Sequence, residues 1–517
     1  MKKFDKIEIL KNVGSSWVAL GVNVLVGIVL SPYILHHLGD EAFGLWVLIF
    51  SVTGYYGLFD LGIRSSIVRY VAKYSAVNDD EQLNHLINTA MFAYSGIGLV
   101  CLAITCIGTF YVDSWFSVAP AFLQTARWLF LMVGASVALG FPLGVFNGIL
   151  EGLQRFYLLN STSLVSTLLR AVLIVIALQH GRGLLTVALI TVSMPLLANL
   201  VNGAVVLHLL RIRFSPMNID RATIKRIASY SGTTFMIIIA QRLRFKTDAI
   251  VIGSFLSAAA ITYFAIASRL VEYASELVSS LSQIFVPMSS QSEAQGDSER
   301  LKKMLVVGNR ACALIIFPIT AILVILGKSV IETWVGAKYV PLSYPVLLIL
   351  VVPQTLMLAQ SASGRMLWGM AKHRVLAYVV LIEGAANLIL SILLVRRYGV
   401  IGDAIGTAIP LTCTMIFFLP HHVCRIVGLR IGTYLRHAYT LPLALCAPLV
   451  VTLLWLRRWF VARTYAQLGL QLAIAAAVYG LGLLWAVWTQ RAWHAGNLAS
   501  VPQEAAIAMA QSYEQEV

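Results

Sequence analysis

The sequence predicts an all-α polytopic membrane protein with about fourteen transmembrane helices, and three observations lead to this fold class. Hydrophobic residues make up 59% of the 517 residues and charged residues only 12%, whereas about a quarter of the residues in a soluble domain are charged. The mean hydropathy is +0.82. The apolar residues also fall in runs of roughly 20 or more, the length that a helix needs to cross a hydrocarbon core of ~30 Å.

Composition and motifs argue against several other classes of protein. The net charge is +15, but the basic residues are scattered singly between apolar runs, so no nucleic-acid partner is expected. The six cysteines lie in apolar segments without a Cys-x-x-Cys pair, which argues against a disulfide framework or a zinc site. The adjacent His421 and His422 would point in different directions on a helix, and we predict neither a metal site nor a cofactor. The first apolar run, 17–35, is too long for a signal peptide and should be an uncleaved span.

Fourteen spans follow one another along the chain, and charge orients them. An even number of spans places both termini on one side of the membrane. Segments on that side hold 22 of the 38 Lys and Arg residues, the opposite side holds 8, and 8 lie within spans. The positive-inside rule therefore predicts that both termini are cytoplasmic. The predicted spans are 13–36, 43–63, 87–111, 121–149, 158–179, 184–210, 229–256, 259–287, 304–327, 342–368, 375–395, 400–424, 434–456 and 465–489.

An internal repeat recurs at an offset of about 218 residues. Each copy has six spans, so both copies insert in the same orientation, as in several transporter folds. We therefore predict a first six-helix bundle at 1–212 and a second at 213–430 around a central cavity, two extra transmembrane helices at 431–490, and a cytoplasmic tail at 491–517. The matching motifs are Glu81-Gln-Leu-Asn84 with Glu299-Arg-Leu-Lys302, Leu150-x-Gly152-x-x-Arg155 with Leu367-x-Gly369-x-x-Lys372, and His180-Gly181 with Tyr398-Gly399.

The seventh span carries four charges within seven residues: Arg242, Arg244, Lys246 and Asp248. A charge near the centre of a membrane helix costs roughly 2.5–3.5 kcal/mol on insertion scales, so such residues are kept where they face partners or a water-filled cavity. At about 100° per residue, Arg242 and Lys246 share one face, while Arg244 and Asp248 share a roughly opposite face and can neutralise each other. We therefore expect Arg242 and Lys246 to need partners from another helix.

The eighth span supplies charges at helical spacing, namely Arg269, Glu272 and Glu276. Glu272 lies at a depth similar to that of Arg242. All seven charges could be internal salt bridges that fix helix packing. However, the equivalent positions of the first repeat are uncharged, which favours a functional role. Adding Arg170 of span 5 and Glu383 of span 11, we predict a substrate-binding cavity with Arg170, Arg242, Arg244, Lys246 and Arg269, and cavity or ion-coupling acids Asp248, Glu272, Glu276 and Glu383. Asp60 and Arg64 are predicted to form a helix-terminal pair.

Four motifs distributed over the two repeats are informative when taken together. They are Leu38-Gly-x4-Gly44-x-Trp46, Phe59-Asp60-Leu61-Gly62-x6-Arg69-x-x-Ala72, Leu150-x-Gly152-x-x-Arg155, and Thr247-Asp248-x-x-Val251-Ile252-Gly253-x-x-Leu256-x6-Tyr263-x-Ala265. In these motifs the chain resembles flippases of undecaprenyl-pyrophosphate-linked oligosaccharides, the O-antigen or exopolysaccharide repeat units, within the multidrug/oligosaccharidyl-lipid/polysaccharide exporter superfamily. The resemblance covers residues 1 to about 430.

The resemblance implies a mechanism, a location and partners. It implies alternating access from the inner to the outer leaflet of the bacterial cell inner membrane, a cationic cavity for the substrate pyrophosphate, and coupling to H⁺ or Na⁺. Membrane lipids and the polysaccharide polymerase and chain-length machinery are the implied partners. A multidrug or small-molecule exporter is the alternative, although an exporter of organic cations would favour acids in its cavity. A membrane glycosyltransferase or polymerase is more remote, because the sequence has no sizeable loop for a nucleotide-sugar site.

Overall fold

The computed structural model describes residues 6–77, 79–210, 212, 214, 239, 242, 244 and 246–499, and all structural statements below concern these residues. Most of the predicted seventh span and the segment before it therefore lie outside the described residues. Side chains are described for Lys11 and for those of the residues above that lie between 14 and 488.

The described part of the first repeat contains seven helices of eight or more residues. A left-handed turn at Leu61 and Gly62, with φ of 49° and 78°, separates the second span from a short helix. The helices are α1 (Lys6–Leu38), α2 (Asp40–Gly54), α3 (Ile63–Ala76), α4 (Asp80–Thr109), α5 (Leu123–Gly152), α6 (Phe156–Gln179) and α7 (Leu184–Leu209).

The described part of the second repeat and the C-terminal region contain ten further helices of eight or more residues. A π-helical turn, Thr414–Phe418, joins two of them. The helices are α8 (Asp248–Phe255), α9 (Ala258–Ser282), α10 (Phe285–Ala294), α11 (Ser298–Trp334), α12 (Val340–Ala359), α13 (Ser361–Gly369), α14 (Arg374–Cys413), α15 (Leu419–Val427), α16 (Ile431–Trp459) and α17 (Tyr465–Ala499).

Eleven helical stretches among the described residues are long and apolar enough to cross a membrane. One of them, Arg374–Val427, covers the predicted spans 11 and 12. Non-helical backbone at Gly399, where φ is 59°, divides it between these two spans. Helix α9 corresponds to the predicted span 8 and carries its three charges. Helix α17 continues to Ala499, whereas its candidate membrane span ends at Trp488; residues 500–517 lie outside the described residues.

Turns and caps recur at the repeat offset. Asp79 and Asp297, 218 residues apart, both cap a helix by accepting a hydrogen bond from a backbone N–H three residues later. Non-glycine residues with left-handed backbone occur at Gln154 and again at Ala371, 217 residues later. Such local geometry repeats because each copy must turn its chain at the same point, so the two repeats predicted from sequence are present in the fold.

The repeated Leu-x-Gly motif has the same role in both copies. A Cβ on Gly152 would lie 2.9 Å from the carbonyl oxygen of Val68 on α3. A Cβ on Gly369 would overlap the carbonyl oxygen of Val286 on α10. In each repeat, glycine thus lets the end of one helix, α5 or α13, contact the backbone of a short helix, which explains why the motif recurs.

The two ends of the helix bundle are packed differently. We call the end that contains Asp40 the Asp40 end and the opposite end, which contains Arg64, the Arg64 end. Toward the Asp40 end, one hydrophobic core joins residues of both repeats, including Leu45 and Ile261. Toward the Arg64 end, each repeat has a core of its own: one comprises residues between 63 and 212 and the other residues between 274 and 439.

Hydrogen bonds also cross between the repeats at the Asp40 end. The carbonyl oxygen of Asp40 accepts a hydrogen bond from Thr262 Oγ1 at 2.8 Å. Its carboxylate accepts one from the Tyr339 hydroxyl at 2.5 Å and pairs with Lys338 Nζ at 2.7 Å. Close approach is possible because a Cβ on Gly44 would overlap the carbonyl oxygen of Ala258. The Asp40 end is therefore closed.

Candidate functional site

A cavity of about 480 Å³ lies between the repeats and is lined by α1, α2, α6 and α9 together with residues of α7, α8 and α11. We call it the central cavity. Six of the nine predicted site residues line it, three of them cations and three of them acids. They are Arg170, Lys246, Arg269, Asp248, Glu272 and Glu276.

Three of the six charged residues of the central cavity are paired with one another. Glu272 Oε2 accepts a hydrogen bond from Arg269 Nη1 at 3.0 Å, and its other oxygen lies 3.6 Å from Lys246 Nζ. These three side chains are between 42% and 51% exposed, so the pairs can exchange partners with a polar ligand at little cost. The predicted neighbour of Arg242 at this depth, Glu272, therefore binds Lys246 and Arg269 instead.

Arg242 lines a second cavity of about 590 Å³, which we call the side cavity; α3, α4, α5 and the segment that follows α2 form most of its wall. Its guanidinium contacts the end of the second span, where a Cβ on Gly57 would lie 2.7 Å from Nη2. The carbonyl oxygen of Arg242 accepts a hydrogen bond from the Tyr55 hydroxyl at 3.3 Å. Lys246 lines both cavities. Two residues of the second repeat, Arg242 and Lys246, thus line a cavity formed mainly by the first repeat.

Arg244 and Glu383 form a buried ion pair outside both cavities. Arg244 Nε lies 2.6 Å from Glu383 Oε1, and Nη2 donates to Oε2 at 3.2 Å. The two residues are only 8% and 4% exposed. The prediction that Arg244 and Asp248 neutralise each other is therefore wrong, and neither Arg244 nor Glu383 lines a cavity. Breaking such a pair costs about 3–5 kcal/mol, which indicates a structural role.

Asp248 instead joins a buried polar cluster with α14. Its carboxylate accepts a hydrogen bond from Thr407 Oγ1 at 2.9 Å, and Thr407 also lies 3.0 Å from Asn387 Oδ1. Ser391 donates to the carbonyl oxygen of Asp403 at 3.2 Å. Both carboxylate oxygens of Asp403 are buried without a hydrogen-bond partner among the described residues. The cluster thus offers carboxylate, amide and hydroxyl oxygens, which suit a proton or a hard cation.

Sequence reasoning missed most of this cluster because Asn387, Ser391 and Thr407 carry no charge. A signal was present, since 387 and 391, like 403 and 407, are spaced by four residues and share a helix face. The predicted helix-terminal pair of Asp60 and Arg64 is also wrong. Asp60 accepts a hydrogen bond from the Tyr94 hydroxyl, and Arg64 pairs with Glu151.

Comparison with known proteins identifies the family. Residues 9–293, more than half of the chain, match the family described as polysaccharide biosynthesis protein. The chain belongs to this family. EpsK, an uncharacterised membrane protein of Bacillus subtilis strain 168, is 21% identical over 429 residues, which cover 82% of this chain and 85% of EpsK. A Shigella flexneri protein provisionally named an O-antigen transporter is 20% identical over 412 residues, covering 78% of this chain and 95% of that protein.

Solved structures share the fold of this family member. Lipid II flippase MurJ in an inward closed conformation has a TM-score of 0.71 at 16% identity, and the match covers 92% of this chain and 98% of MurJ. An inward-facing multidrug resistance transporter of the MATE family has a TM-score of 0.61 at 14% identity, with 80% and 94% covered. The predicted fold class is confirmed, and the family match confirms the predicted relation to polysaccharide biosynthesis. The chain is accordingly a multi-pass membrane protein of the polysaccharide biosynthesis family.

Proposed function

We propose that the protein moves an undecaprenyl-diphosphate-linked oligosaccharide from the inner to the outer leaflet of the bacterial inner membrane by alternating access. The observation that carries this proposal is the central cavity, which contains both cations and acids within a member of the polysaccharide biosynthesis family. Paired charges of this kind supply donors and acceptors for sugar hydroxyls, while the cations attract the diphosphate.

The unequal packing of the two ends supports alternating access. If the excess of Lys and Arg marks the cytoplasmic side, the Arg64 end is cytoplasmic and the closed Asp40 end is external. Separate cores at the Arg64 end allow the repeats to part there while the shared core holds the Asp40 end together. This arrangement is that of an inward-facing state, and transport would require the reverse arrangement as well. Cytoplasmic termini follow from the same assignment.

Coupling to H⁺ or Na⁺ fits the cluster around Asp248. Asp248 lines the central cavity and also binds Thr407 of α14, so occupation of the cluster by a cation would change the charge next to the substrate. Glu383 forms an ion pair with Arg244, whereas Glu272 and Glu276 line the central cavity. We therefore expect Asp248→Asn to remove the dependence of transport on the ion gradient in reconstituted vesicles. Unchanged dependence would assign coupling elsewhere.

Depletion of the protein in its native cell tests the function. A lipid-linked oligosaccharide should accumulate in the cytoplasmic leaflet, where an added membrane-impermeant glycosidase reaches it in inside-out vesicles. Normal surface polysaccharide without accumulation would contradict the proposal. Contacts with the polysaccharide polymerase and the chain-length machinery stay a prediction that cross-linking in the same cells would test.

A further inference from the structure

Two walls of the central cavity differ in chemistry although they come from matching helices. Helices α2 and α9 occupy the same place in the two repeats, and both line the cavity. The side chains that α2 contributes include three aromatic rings, whereas α9 contributes three charges. We call the first set the aromatic wall and the second set the charged wall: Phe43, Trp46 and Phe50 on α2, and Arg269, Glu272 and Glu276 on α9.

The repeated fold does not require this difference between the walls. At the repeat offset of 218 residues, Phe50 corresponds to Ser268, and Arg269 corresponds to Ser51. Equivalent positions of the two helices therefore accept a small polar side chain as well as a large one. The aromatic and charged residues thus reflect what the cavity holds rather than how the helices pack.

The rings of Trp46 and Phe50 form one apolar surface. They lie one helical turn apart, with centroids separated by 5.2 Å and planes inclined by 22°. Both side chains pack against the shared core but are only half-buried, whereas Leu45, Leu48 and Ile49 of the same helix are at most 1% exposed. At about 100° per residue, these three residues share a different face of α2. The core and the cavity are therefore contacted by different faces of the helix.

Two hydrogen-bond donors on this side of the cavity have no partner in the part of the chain that the structure describes. They are the indole Nε1 of Trp46 and the hydroxyl of Ser51. By contrast, the indole of Trp334, which also lines the cavity, is 6% exposed and donates to the carbonyl oxygen of Ile28. Polar groups away from bulk water are as a rule hydrogen-bonded, so the donors of Trp46 and Ser51 are available to a ligand.

We propose that a pyranose ring of the glycan stacks on Trp46 and Phe50 while its hydroxyl groups bind the charged wall. The proposal rests on the function proposed above and specifies which residues recognise the sugar. A pyranose has an apolar face of C–H groups and an edge of hydroxyl groups, so it matches a cavity with one aromatic and one polar wall. Arg269 and Glu272 lie 3.0 Å apart and offer donors and acceptors to neighbouring hydroxyls.

A polyprenyl chain matches this cavity less well than a sugar does. It would cover the aromatic wall equally, but it would also exclude water from the charged wall. There Glu276 forms no ion pair with any described residue, and burial of an unpaired carboxylate against hydrocarbon is unfavourable. A sugar instead replaces the excluded water with its own hydroxyl groups.

Binding measurements on the full chain in nanodiscs test the proposal with two probes. One is the cell's own lipid-linked repeat unit, and the other is undecaprenyl diphosphate, which has the lipid and the diphosphate but no glycan. Trp46→Leu removes the ring and keeps an apolar side chain, so affinity for the repeat unit should fall about tenfold, and Phe50→Leu should lower it about threefold. Neither variant should change the affinity for undecaprenyl diphosphate.

A matched control makes the same change elsewhere. Trp128→Leu alters a tryptophan of α5 that is 48% exposed and lines neither of the two cavities, and it should leave both affinities unchanged. If Trp46→Leu fails to fold, Trp46→Phe replaces it and should lower affinity for the repeat unit about threefold through loss of the indole N–H. In protein labelled with 5-fluorotryptophan, the fluorine resonance that is missing from Trp46→Phe should shift with the repeat unit and not with undecaprenyl diphosphate.

The outcomes separate the sugar site from the function. Unchanged affinity of Trp46→Leu for the repeat unit would show that the ring only packs, and equal losses for both probes would assign the aromatic wall to the lipid. Either result overturns the sugar site and leaves the transport function standing, as does equal affinity of the unaltered protein for the two probes. Failure to bind either probe also overturns the sugar site, and the depletion experiment above then decides whether the function is overturned with it.

Discussion

The Asp40 end and the Arg64 end are built from the same repeated helices, yet only the Asp40 end is closed. At the Asp40 end both repeats contribute to one core, and hydrogen bonds and an ion pair cross between them. At the Arg64 end each repeat packs on itself, and Arg242 reaches across to Gly57. The repeated helices alone therefore do not close an end of the bundle; the residues that differ between the two copies close it.

Those residues can be identified individually. Gly44 permits the contact between α2 and α9, but the repeat aligns it with Thr262, which has a side chain and uses it to bind Asp40. Trp334 Nε1 donates to the carbonyl oxygen of Ile28 at 2.7 Å, joining the end of α11 to α1. Substituting a residue that makes such a contact should raise the fraction of molecules that are open at the Asp40 end, and a stronger contact should give a larger rise.

The largest effect is expected for Gly44→Leu. The new side chain would overlap the backbone of Ala258, so α2 and α9 must separate and transport should fall to background. As a matched control, Gly21→Leu places the same side chain where no atom lies within 4 Å and should retain transport. A Gly44→Leu protein that transports normally would show that the contact is not part of the barrier.

A smaller effect is expected for Asp40→Asn. The substitution removes the charge from a hydrogen bond with Tyr339 and the ion pair with Lys338, and a charge-assisted bond contributes about 1.5–3 kcal/mol. The open fraction at the Asp40 end should rise about tenfold. A cysteine at Ser31, which lines the central cavity, should then react faster with an impermeant maleimide added at that end. The background would be a protein in which the exposed Cys106 and Cys413 are replaced by Ser.

Trp334→Phe should have a weaker effect on the same reaction. Phenylalanine keeps most of the buried ring but loses the hydrogen bond to Ile28, which is worth roughly 0.5–1.5 kcal/mol. We expect the labelling rate at position 31 to rise about threefold. A rate equal to that of the parent protein would mean that this bond is replaced by water and does not hold the end closed.

The smallest effect is expected for Lys338→Gln. Lys338 is 61% exposed, and an exposed ion pair contributes about 0–1 kcal/mol. The labelling rate should change less than about threefold, and the remaining difference should vanish in high salt. An effect as large as that of Asp40→Asn would show that Lys338, not Tyr339, is the main partner of Asp40.

The membrane spans, the internal repeat and the charged segment at 242–248 could all be predicted from the amino-acid sequence. Apolar runs long enough to cross the membrane can be recognised as helices without tertiary information, because in lipid each helix satisfies its own backbone hydrogen bonds. The matching motifs at a fixed offset likewise identified the two copies, and their turns and caps recur in the fold. Helical spacing also predicted that Lys246 needs a partner from another helix, and Glu272 of the eighth span lies 3.6 Å from Lys246 Nζ.

The ion-pair partners of the charged residues could be identified from the tertiary structure alone. Arg244 and Asp248 share a helix face, and local spacing suggested that they neutralise each other, but Arg244 binds Glu383, 139 residues away. Arg64 binds Glu151 in the same manner, across 87 residues. Periodicity tells which residues lie on one face of a helix, whereas the partner of that face depends on how distant helices are rotated and packed. For this reason the sequence predicted one cationic cavity, while the fold distributes the same cations among two cavities and a buried ion pair.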